Sequence, residues 1–309
     1  METPNPFRAP GEWLRCALHA HTTNSDGELA PERLALHFDQ AGYDVLFVTD
    51  HWVRTVVDQP LRILTIPSIE LNATIEGTGS DAHVLALGVV DDPIEPGAAF
   101  PNLQETVDWI RGSGGLAFVA HPYWSGLTSH EFRNCVGLSG VEVWNSGCEL
   151  ELGRGLSAVH WDEGLEAGER WLGIASDDSH LPGFDSGFSS VWVKVEERTQ
   201  EAVLHAIEQG LFYSSNGPLI HDVSIDGSGV EVVCDPAHQV SLITFRVFGA
   251  SVTAGRLGRA NAARVTDRTP DGLIRGARLG RFGSWPFGRI EVTDVHGRKA
   301  WTNPLWYSA

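Results

Sequence analysis

The segment HAHTTNSDG, residues 19–27, ends the first apolar run of the chain and carries three groups that can bind a metal. His19 and His21 are two positions apart, and side chains at i and i+2 point to the same side of an extended chain. Both imidazoles can therefore reach one ion, and the carboxylate of Asp26 follows shortly after them. The segment predicts a strand that ends in a metal site.

Short apolar runs like the one before this segment recur along the first two-thirds of the chain. Runs that are hydrophobic almost throughout are typical of parallel strands buried on both faces. Helical patterns separate them: Pro31 begins one that Gly42 ends, and Asn102 with Glu105 resembles a capping box. The alternation predicts a parallel α/β architecture, and the number of runs suggests an irregular barrel. The expected strands are residues 14–19, 44–49, 63–70, 83–89, 116–121, 140–144 and 172–176.

Most of these expected strands begin or end with a histidine or a carboxylate. In a barrel the carboxyl ends of the strands share one face, so groups scattered in the sequence converge there. A single histidine more often lies on a surface or in a core, but six of the 13 histidines occupy such positions, together with three carboxylates. The candidate metal ligands are His19, His21, Asp26, His51, Glu70, His83, His121, Asp178 and His180. A nucleophilic serine is not supported, because Ser176 lacks a GxSxG motif.

The hydrophobic pattern of the sequence changes after about residue 216. Segments such as VSIDGSGVEVVCD, QVSLITFRVFGA and GRIEVTDVHGRKAWTNP alternate apolar and polar residues around Gly and Asp turns, which predicts antiparallel strands. We therefore expect an α/β barrel over residues 1–215 and a small β-sandwich-like domain over residues 216–309.

The charge and cysteine content limit the partners. The chain has 22 Lys and Arg against 40 Asp and Glu, a formal charge of −18, which disfavours stable nucleic-acid docking, although bound cations would reverse the field locally. The four cysteines show no framework spacing and predict reduced thiols. The first residues lack an apolar leader, and no apolar run reaches the ~18 residues of a membrane span. We expect a cytoplasmic protein that does not bind membranes; the oligomeric state is left open.

The motifs HAHTTNSDG, TDH, the Glu70 strand end, HVLALG, AHP, VEVWN and SDDSH occur in the order found in one superfamily. As an ordered set over roughly residues 13–217, they resemble the polymerase and histidinol phosphatase (PHP) superfamily of metal-dependent phosphoesterases. The continuation AIEQGLFYSSNGP and a β region that ends in NPLW resemble its subgroup with a C-terminal β domain. The resemblance implies a distorted, TIM-like (β/α)7 barrel.

The resemblance also implies two or three bound divalent ions, and mixed His and carboxylate ligands suit Zn, Mn or Fe(II). One ion would be held by His19, His21, Glu70 and Asp178. A second would be held by Glu70, as a bridge, with His83 and His121. A third would be held by Asp26, His51 and His180. The DxH spacing favours Asp178 over Asp177 as the ligand, which leaves Asp177 to support the loop.

The implied activity is hydrolysis of a phosphomonoester or phosphodiester of a small molecule, with a nucleotide as one candidate. A hydroxide that bridges two metals would attack phosphorus. The catalytic residues would be Glu70, His121, Asp178 and His180. Substrate contacts are expected from Asn145 at a strand end, Arg154 as a phosphate clamp, and Tyr123 and Trp124 as pocket walls.

Two alternatives stay open at this point. The same metal site could hydrolyse a carboxylic ester or a carbamate, because an activated water can also attack a carbonyl carbon. The protein could instead be a non-catalytic metal-binding regulatory module, although the complete ligand set disfavours this.

Overall fold

A computed structural model of the chain describes residues 4–93, 100–226, 229–256, 263–280 and 285–306. It has two compact units: Gly11–Glu208, and Met1–Pro10 together with Gln209–Ala309. The second unit begins slightly earlier than residue 216 and includes the N-terminal residues. The N-terminal residues belong to this unit because they contact its strands: Asn5 Nδ2 donates to Val223 O at 2.8 Å.

The larger unit contains nine strands and six helices among the described residues. The strands are β1 (Glu12–Ala17), β2 (Val45–Val48), β3 (Leu64–Pro67), β4 (Ile69–Thr74), β5 (Asp81–Leu87), β6 (Leu116–Val119), β7 (Gly140–Asn145), β8 (Leu172–Ser176) and β9 (Ser190–Val195). The helices are α1 (Pro31–Gln40), α2 (Leu103–Gly112), α3 (Ser129–Phe132), α4 (Ser146–Leu152), α5 (Ala158–Ala167) and α6 (Gln200–Glu208).

These strands form two arrays, and the described residues do not close a barrel. One array has the order β9-β1-β2-β3 and the other has β4-β5-β6-β7-β8. The pairs β1–β2, β2–β3, β6–β7 and β7–β8 are parallel, as expected, but β1–β9, β4–β5 and β5–β6 are antiparallel. The fold is mixed α/β, and the expected distorted (β/α)7 barrel is not confirmed.

The departure from a barrel has local causes. The expected strand 63–70 is interrupted at Ser68, so that β3 and β4 belong to different arrays. A tight turn then joins β4 to β5, with Ile75 N donating to Ser80 O at 2.8 Å. Such a short connection makes only an antiparallel pair, because parallel neighbours need a long crossover.

One hydrophobic cluster of this unit lies beneath α1. Leu34 and Phe38 are fully buried on one face of the helix, against Leu46 and Val48 of β2. A fully buried side chain of this size contributes about 1.5–3 kcal/mol. Gly42 follows the end of α1 and has a φ of 81°, in the left-handed region that favours glycine.

The smaller unit is built from antiparallel strands. Its strands are β10 (Phe212–Ser215), β11 (Ile220–Asp226), β12 (Gly229–Ala237), β13 (Gln239–Thr244), β14 (Gly249–Thr253), β15 (Arg264–Arg268), β16 (Ile274–Leu279), β17 (Phe287–Thr293), β18 (Lys299–Thr302) and β19 (Leu305–Trp306). One array has the order β11-β12-β16-β15, and the other has β14-β13-β17-β18-β10 with β19 beside β17. Contacts of β13 and β14 with β16 pack the two arrays together.

The described helices include none with the length and apolarity needed to cross a bilayer.

Candidate metal centre

Two isolated backbone bridges connect the arrays of the larger unit at the end where the expected ligands lie. Ala20 pairs in parallel with Ser179, and His51 pairs in parallel with Glu70. The backbone N–H of Glu70 also donates to Asp50 O at 3.3 Å. The bridges bring the ends of β1, β2, β4 and β8 side by side, so that groups far apart in the sequence meet.

Four buried side chains form a first group: His19, His21, Glu70 and Asp178. His19 Nε2 lies 3.0 Å from both Glu70 Oε2 and Asp178 Oδ1. His21 Nε2 lies 3.2 Å from the same two oxygens. The four donor atoms are all within 4.8 Å of one another, and two imidazoles with two carboxylates form a donor set that suits a divalent transition ion.

Two atoms of this first group have unmet bonding capacity. His21 Nε2 and Asp178 Oδ1 are buried, and although they lie only 3.2 Å apart, neither is aligned for a hydrogen bond with the other or with another described residue. Buried polar atoms without a partner are rare, because leaving one unsatisfied costs about 1–3 kcal/mol. A cation held in the first group would satisfy both atoms, so the residues present fit a metal ion.

Glu70 is shared with a second group, which it forms with His83 and His121. Its other carboxylate oxygen, Oε1, lies 2.8 Å from His83 Nδ1 and 3.2 Å from His121 Nε2. One oxygen of Glu70 therefore faces the first group and the other faces the second group. This is the geometry that a carboxylate needs to bridge two ions.

A third group consists of His21, Asp26, His51 and His180. Asp26 lies at its centre, with His180 Nε2 at 3.4 Å, His51 Nε2 at 3.5 Å and His21 Nδ1 at 3.6 Å from its carboxylate oxygens. Its side chains are more open than those of the first group: Asp26 is 55% exposed and His180 is 31% exposed. The third group therefore lies at the solvent side of the cluster.

The backbone at the cluster is strained. Of the four non-glycine residues with positive φ in the described chain, His121 (27°) and Asp178 (55°) belong to the groups above, and Trp52 (60°) follows His51. Such conformations cost on the order of 1–3 kcal/mol each and persist where surrounding structure enforces them, often at functional sites.

Proton affinities in the cluster are strongly displaced. Burial alone would lower the pKa values of His19 and His21, but Asp178 and Glu70 raise the pKa of His19 well above its usual range and that of His21 to about 9. Burial would raise the pKa values of Glu70 and Asp178, but the neighbouring histidines hold both well below their usual range. Protons on these histidines thus balance the buried carboxylates, a role that a divalent cation can take over.

Glu142 of β7 lies directly behind His19 and is fully buried. Its Oε1 accepts a hydrogen bond from His19 Nδ1 at 3.0 Å, and its Oε2 accepts from His121 N at 2.8 Å and Asn145 Nδ2 at 2.8 Å. A proton fixed on Nδ1 leaves the lone pair of His19 Nε2 directed at the first group.

Two further carboxylates hold the loops of the third group. Asp50 accepts a hydrogen bond from Ser25 Oγ at 2.7 Å, beside Asp26. Asp185 accepts from the backbone N–H of His180 at 2.8 Å. These contacts hold the third group in place although it is partly exposed.

The comparisons with known proteins support the fold. No protein-family model and no curated protein matches the chain. It is similar to the crystal structure of a two-domain protein from Bacteroides vulgatus that contains a predicted PHP-like metal-dependent phosphoesterase, with 17% identity, a TM-score of 0.52 and 94% of each chain covered. The fold is PHP-like. At this identity the likeness establishes the fold and nothing further.

Two shorter structures are also similar to parts of the chain. One is a protein from Bifidobacterium adolescentis with a predicted metal-dependent phosphoesterase function, at 17% identity, a TM-score of 0.44, and coverage of 56% of this chain and 90% of that one. The other is an amidohydrolase from Chromobacterium violaceum with bound sulfate and no metal, at 18% identity, a TM-score of 0.43, and coverage of 56% and 89%. The assignment of the PHP-like fold depends on the two-domain protein alone.

The three groups of this PHP-like fold open into a cavity of about 480 Å³. Trp124 lines it, with its ring centroid 5.0 Å from that of His121 and its Nε1 donating to Glu151 Oε2 at 3.0 Å. Leu181 and Phe184 form another part of the wall. The described residues that line this cavity include no Lys or Arg.

The structure places the four expected substrate contacts in different parts of the larger unit. Of the four, Trp124 lines the cavity beside the three groups. Tyr123 and Arg154 line a different cavity. Asn145 is fully buried behind the cluster, where its Nδ2 donates to Glu142 and, at 3.1 Å, to Asp178 Oδ2.

All nine expected ligands lie in the three groups. The supporting carboxylates of Glu142 and Asp50 were not predicted from the sequence. Glu142 lies within the expected strand 140–144, and Asp50 precedes the expected ligand His51. Asp50 also follows the apolar run 45–48 after one residue; these positions are the signal that could have indicated the two carboxylates. Asp177 accepts hydrogen bonds from Gly187 N at 2.6 Å and Ser189 N at 2.7 Å, and so supports the following loop.

Proposed function

We propose that this protein is a metal-dependent hydrolase that cleaves a phosphomonoester or phosphodiester of a small molecule. The observation that carries the proposal is the position of Glu70. Its two oxygens face two separate groups of imidazoles, and a third group lies beside them at the mouth of a cavity large enough for a metabolite. Purely structural histidines have no need for such an arrangement.

In this proposal the side chains of the three groups bind the ions, and Glu70 is shared between the first and second groups. Divalent Zn, Mn or Fe(II) bound there would lower the pKa of a coordinated water to about 7 and would neutralise charge that develops on the substrate. His180 Nδ1 donates to Asp178 O at 2.9 Å, which directs the lone pair of its Nε2 toward Asp26. The exposed position of the third group suits direct contact with the substrate.

The remaining chain supplies orientation and shape. Glu142 fixes the ring of His19, and Asn145 fixes the carboxylate of Asp178. Trp124 and Phe184 present apolar surface to the cavity, which would contact the organic part of the substrate and keep water from it. Fixed groups of this kind lower a barrier because they need no rearrangement during the reaction.

One observation favours a second candidate, hydrolysis of a carboxylic ester or carbamate. Arg154 lines another cavity, and the described residues that line the cavity of the metal groups include no Lys or Arg to bind phosphate. An uncharged ester would need none. The phosphoester remains the leading proposal because three groups for cations offer enough positive charge for a phosphoryl dianion.

The test combines metal removal with a substrate panel. We expect a chelator to abolish hydrolysis and Zn²⁺, Mn²⁺ or Fe²⁺ to restore it, with p-nitrophenyl phosphate or bis-p-nitrophenyl phosphate turned over faster than p-nitrophenyl acetate. Faster acetate hydrolysis would favour the second candidate. Metal bound without turnover of any ester would favour a regulatory metal-binding module.

The matched variant is His19→Ala with His21→Ala, which removes two imidazoles from the first group. We expect it to lose metal, measured by elemental analysis, and turnover together. His37→Ala is the control, because His37 contacts Ser186 Oγ at 2.7 Å and belongs to none of the three groups. Full metal content and turnover in the double variant would refute the assignment of the metal centre.

A further inference from the structure

A second cavity, of about 490 Å³, lies within the larger unit and shares no lining residue with the cavity of the metal groups. Tyr123, Leu127, Arg154, Leu156 and Val159 line it. Its volume lies within the range of pockets that bind small organic molecules. Nothing in the proposed hydrolysis uses it.

The walls of this second cavity are apolar and open to solvent. Val159 is 67% exposed, Tyr123 is 43% exposed and Leu156 is 39% exposed. Single exposed apolar side chains are common on protein surfaces, but here three of them surround one concave site. Such a wall gains free energy when an apolar body covers it.

The rim of the second cavity carries a free cation. Apart from its contact with the Tyr123 ring, the guanidinium of Arg154 makes no hydrogen bond or ion pair with the described residues, although acidic residues outnumber basic ones 40 to 22 in this chain. Its Cζ lies 5.6 Å from the ring centroid of Tyr123, within cation–π range. A planar guanidinium held over an aromatic ring presents its edge N–H groups to a carboxylate.

The second cavity is also held in shape without a ligand. Tyr123 N donates to Ser157 Oγ at 3.2 Å, which ties the loop after His121 to the start of α5. His160 Nε2 donates to Leu127 O at 2.8 Å across the same site. That bond leaves His160 Nδ1 buried without a hydrogen-bond partner among the described residues. A site fixed by such contacts loses little conformational entropy when it binds a ligand.

We propose that the second cavity is a binding site for a small organic anion, a carboxylate attached to an aromatic or branched apolar body. The apolar body packs against Tyr123, Leu156 and Val159, and the carboxylate pairs with Arg154. The ligand is a molecule separate from the substrate of the metal centre, because the two cavities have no wall in common.

The test measures binding of 3-phenylpropionate to the full-length protein by isothermal titration calorimetry, with 3-phenylpropanamide as the uncharged counterpart. Chelator is present, so that the carboxylate cannot bind to a metal ion. We expect the acid to bind about five- to tenfold more tightly than the amide, the contribution of one charge-assisted contact. Equal affinities for acid and amide would overturn the proposal.

Three variants locate the site. Arg154→Gln is expected to remove the preference for the acid, and Val159→Trp, which fills the cavity, is expected to weaken both ligands. Arg33→Gln, a change at an exposed arginine on α1, is the matched control and should bind like the parent. An unchanged acid preference in Arg154→Gln, or unchanged binding in Val159→Trp, would overturn the proposal.

The final measurement separates this site from the proposed hydrolase. Binding of 3-phenylpropanamide, which makes no ion pair with Arg154, is repeated with metal-loaded protein in saturating inorganic phosphate, which occupies the metal groups. An unchanged affinity supports a separate site, and competition by phosphate would overturn it. Because the chelator experiments need no turnover, failure of the hydrolase proposal would leave their outcome unaffected.

Discussion

Replacement of Glu142 by glutamine tests whether the buried carboxylate behind His19 sets the metal affinity of the first group. Oε1 of Glu142 accepts from His19 Nδ1 at 3.0 Å and also from Ser176 Oγ, while Oε2 accepts from His121 N and Asn145 Nδ2, both at 2.8 Å. A glutamine amide keeps one acceptor and turns the other into a donor. Neither orientation of that amide preserves all the contacts.

The two orientations fail in different ways. With the amide nitrogen toward His121 N and Asn145 Nδ2, donors face donors, and each unsatisfied buried group costs about 1–3 kcal/mol. With the nitrogen toward His19, the ring must accept at Nδ1 and carry its proton on Nε2, the atom that faces the first group. Loss of such a supporting contact typically weakens metal binding about 10- to 100-fold, or about 1.4–2.7 kcal/mol.

The assay is competition for Zn²⁺ against a chromophoric chelator, with stoichiometry from elemental analysis. Thermal unfolding monitored by circular dichroism verifies that the Glu142→Gln variant is folded. Glu291→Gln is the matched control, since Glu291 is a largely buried glutamate of the other unit that bonds to Lys299 and Arg289. A folded Glu142→Gln protein that binds zinc within twofold of the parent would refute the role assigned to Glu142.

Two further predictions concern the same cluster. Zinc binding at about pH 7.5 should release protons, because His21, with a pKa of about 9, must lose its proton to bind an ion. The apparent zinc affinity should therefore fall about tenfold per pH unit below 9 for each proton displaced. Calorimetry in two buffers of different ionisation enthalpy counts the released protons, and a count of zero would contradict the electrostatic description. Gly27→Ala should lower the melting temperature and weaken binding at the third group, because the added Cβ would lie 2.2 Å from His21 O, a clash that costs about 1–3 kcal/mol. Gly112→Ala, where no atom lies within 4 Å of the added Cβ, should keep or slightly raise the melting temperature, and equal melting temperatures for the two variants would argue against the crowding at Gly27.

Helix boundaries were accessible to sequence reasoning because their signals are local. Pro31 occupies the first turn of α1, and Asn102 caps α2 by accepting a hydrogen bond from Glu105 N at 3.0 Å, both as expected. These features depend on a few adjacent residues, and the physics that fixes them acts within one helical turn.

Strand direction was not accessible in the same way. The apolar parts of β5 and β6 resemble those of parallel strands, because apolarity indicates burial on both faces and not the direction of the neighbouring strand. The interruption at Ser68 sends β3 and β4 into different arrays, and the turn before Ser80 makes β4 and β5 antiparallel. For this reason the predicted α/β class is confirmed, whereas the predicted distorted (β/α)7 barrel is not.

The sequence by itself determined the chemical inventory: which imidazoles and carboxylates follow apolar strands, and hence which side chains are available to a metal. Only the tertiary structure decided which donors face each other and that Glu70 lies between two groups. It also decided that Asn145 supports Asp178 from behind the cluster and that Arg154 lines a different cavity. The physical reason is the range of the interactions. Periodicity and capping act over a few residues, whereas contacts such as His19 with Glu142 join positions 123 residues apart and exist only after the strands have packed.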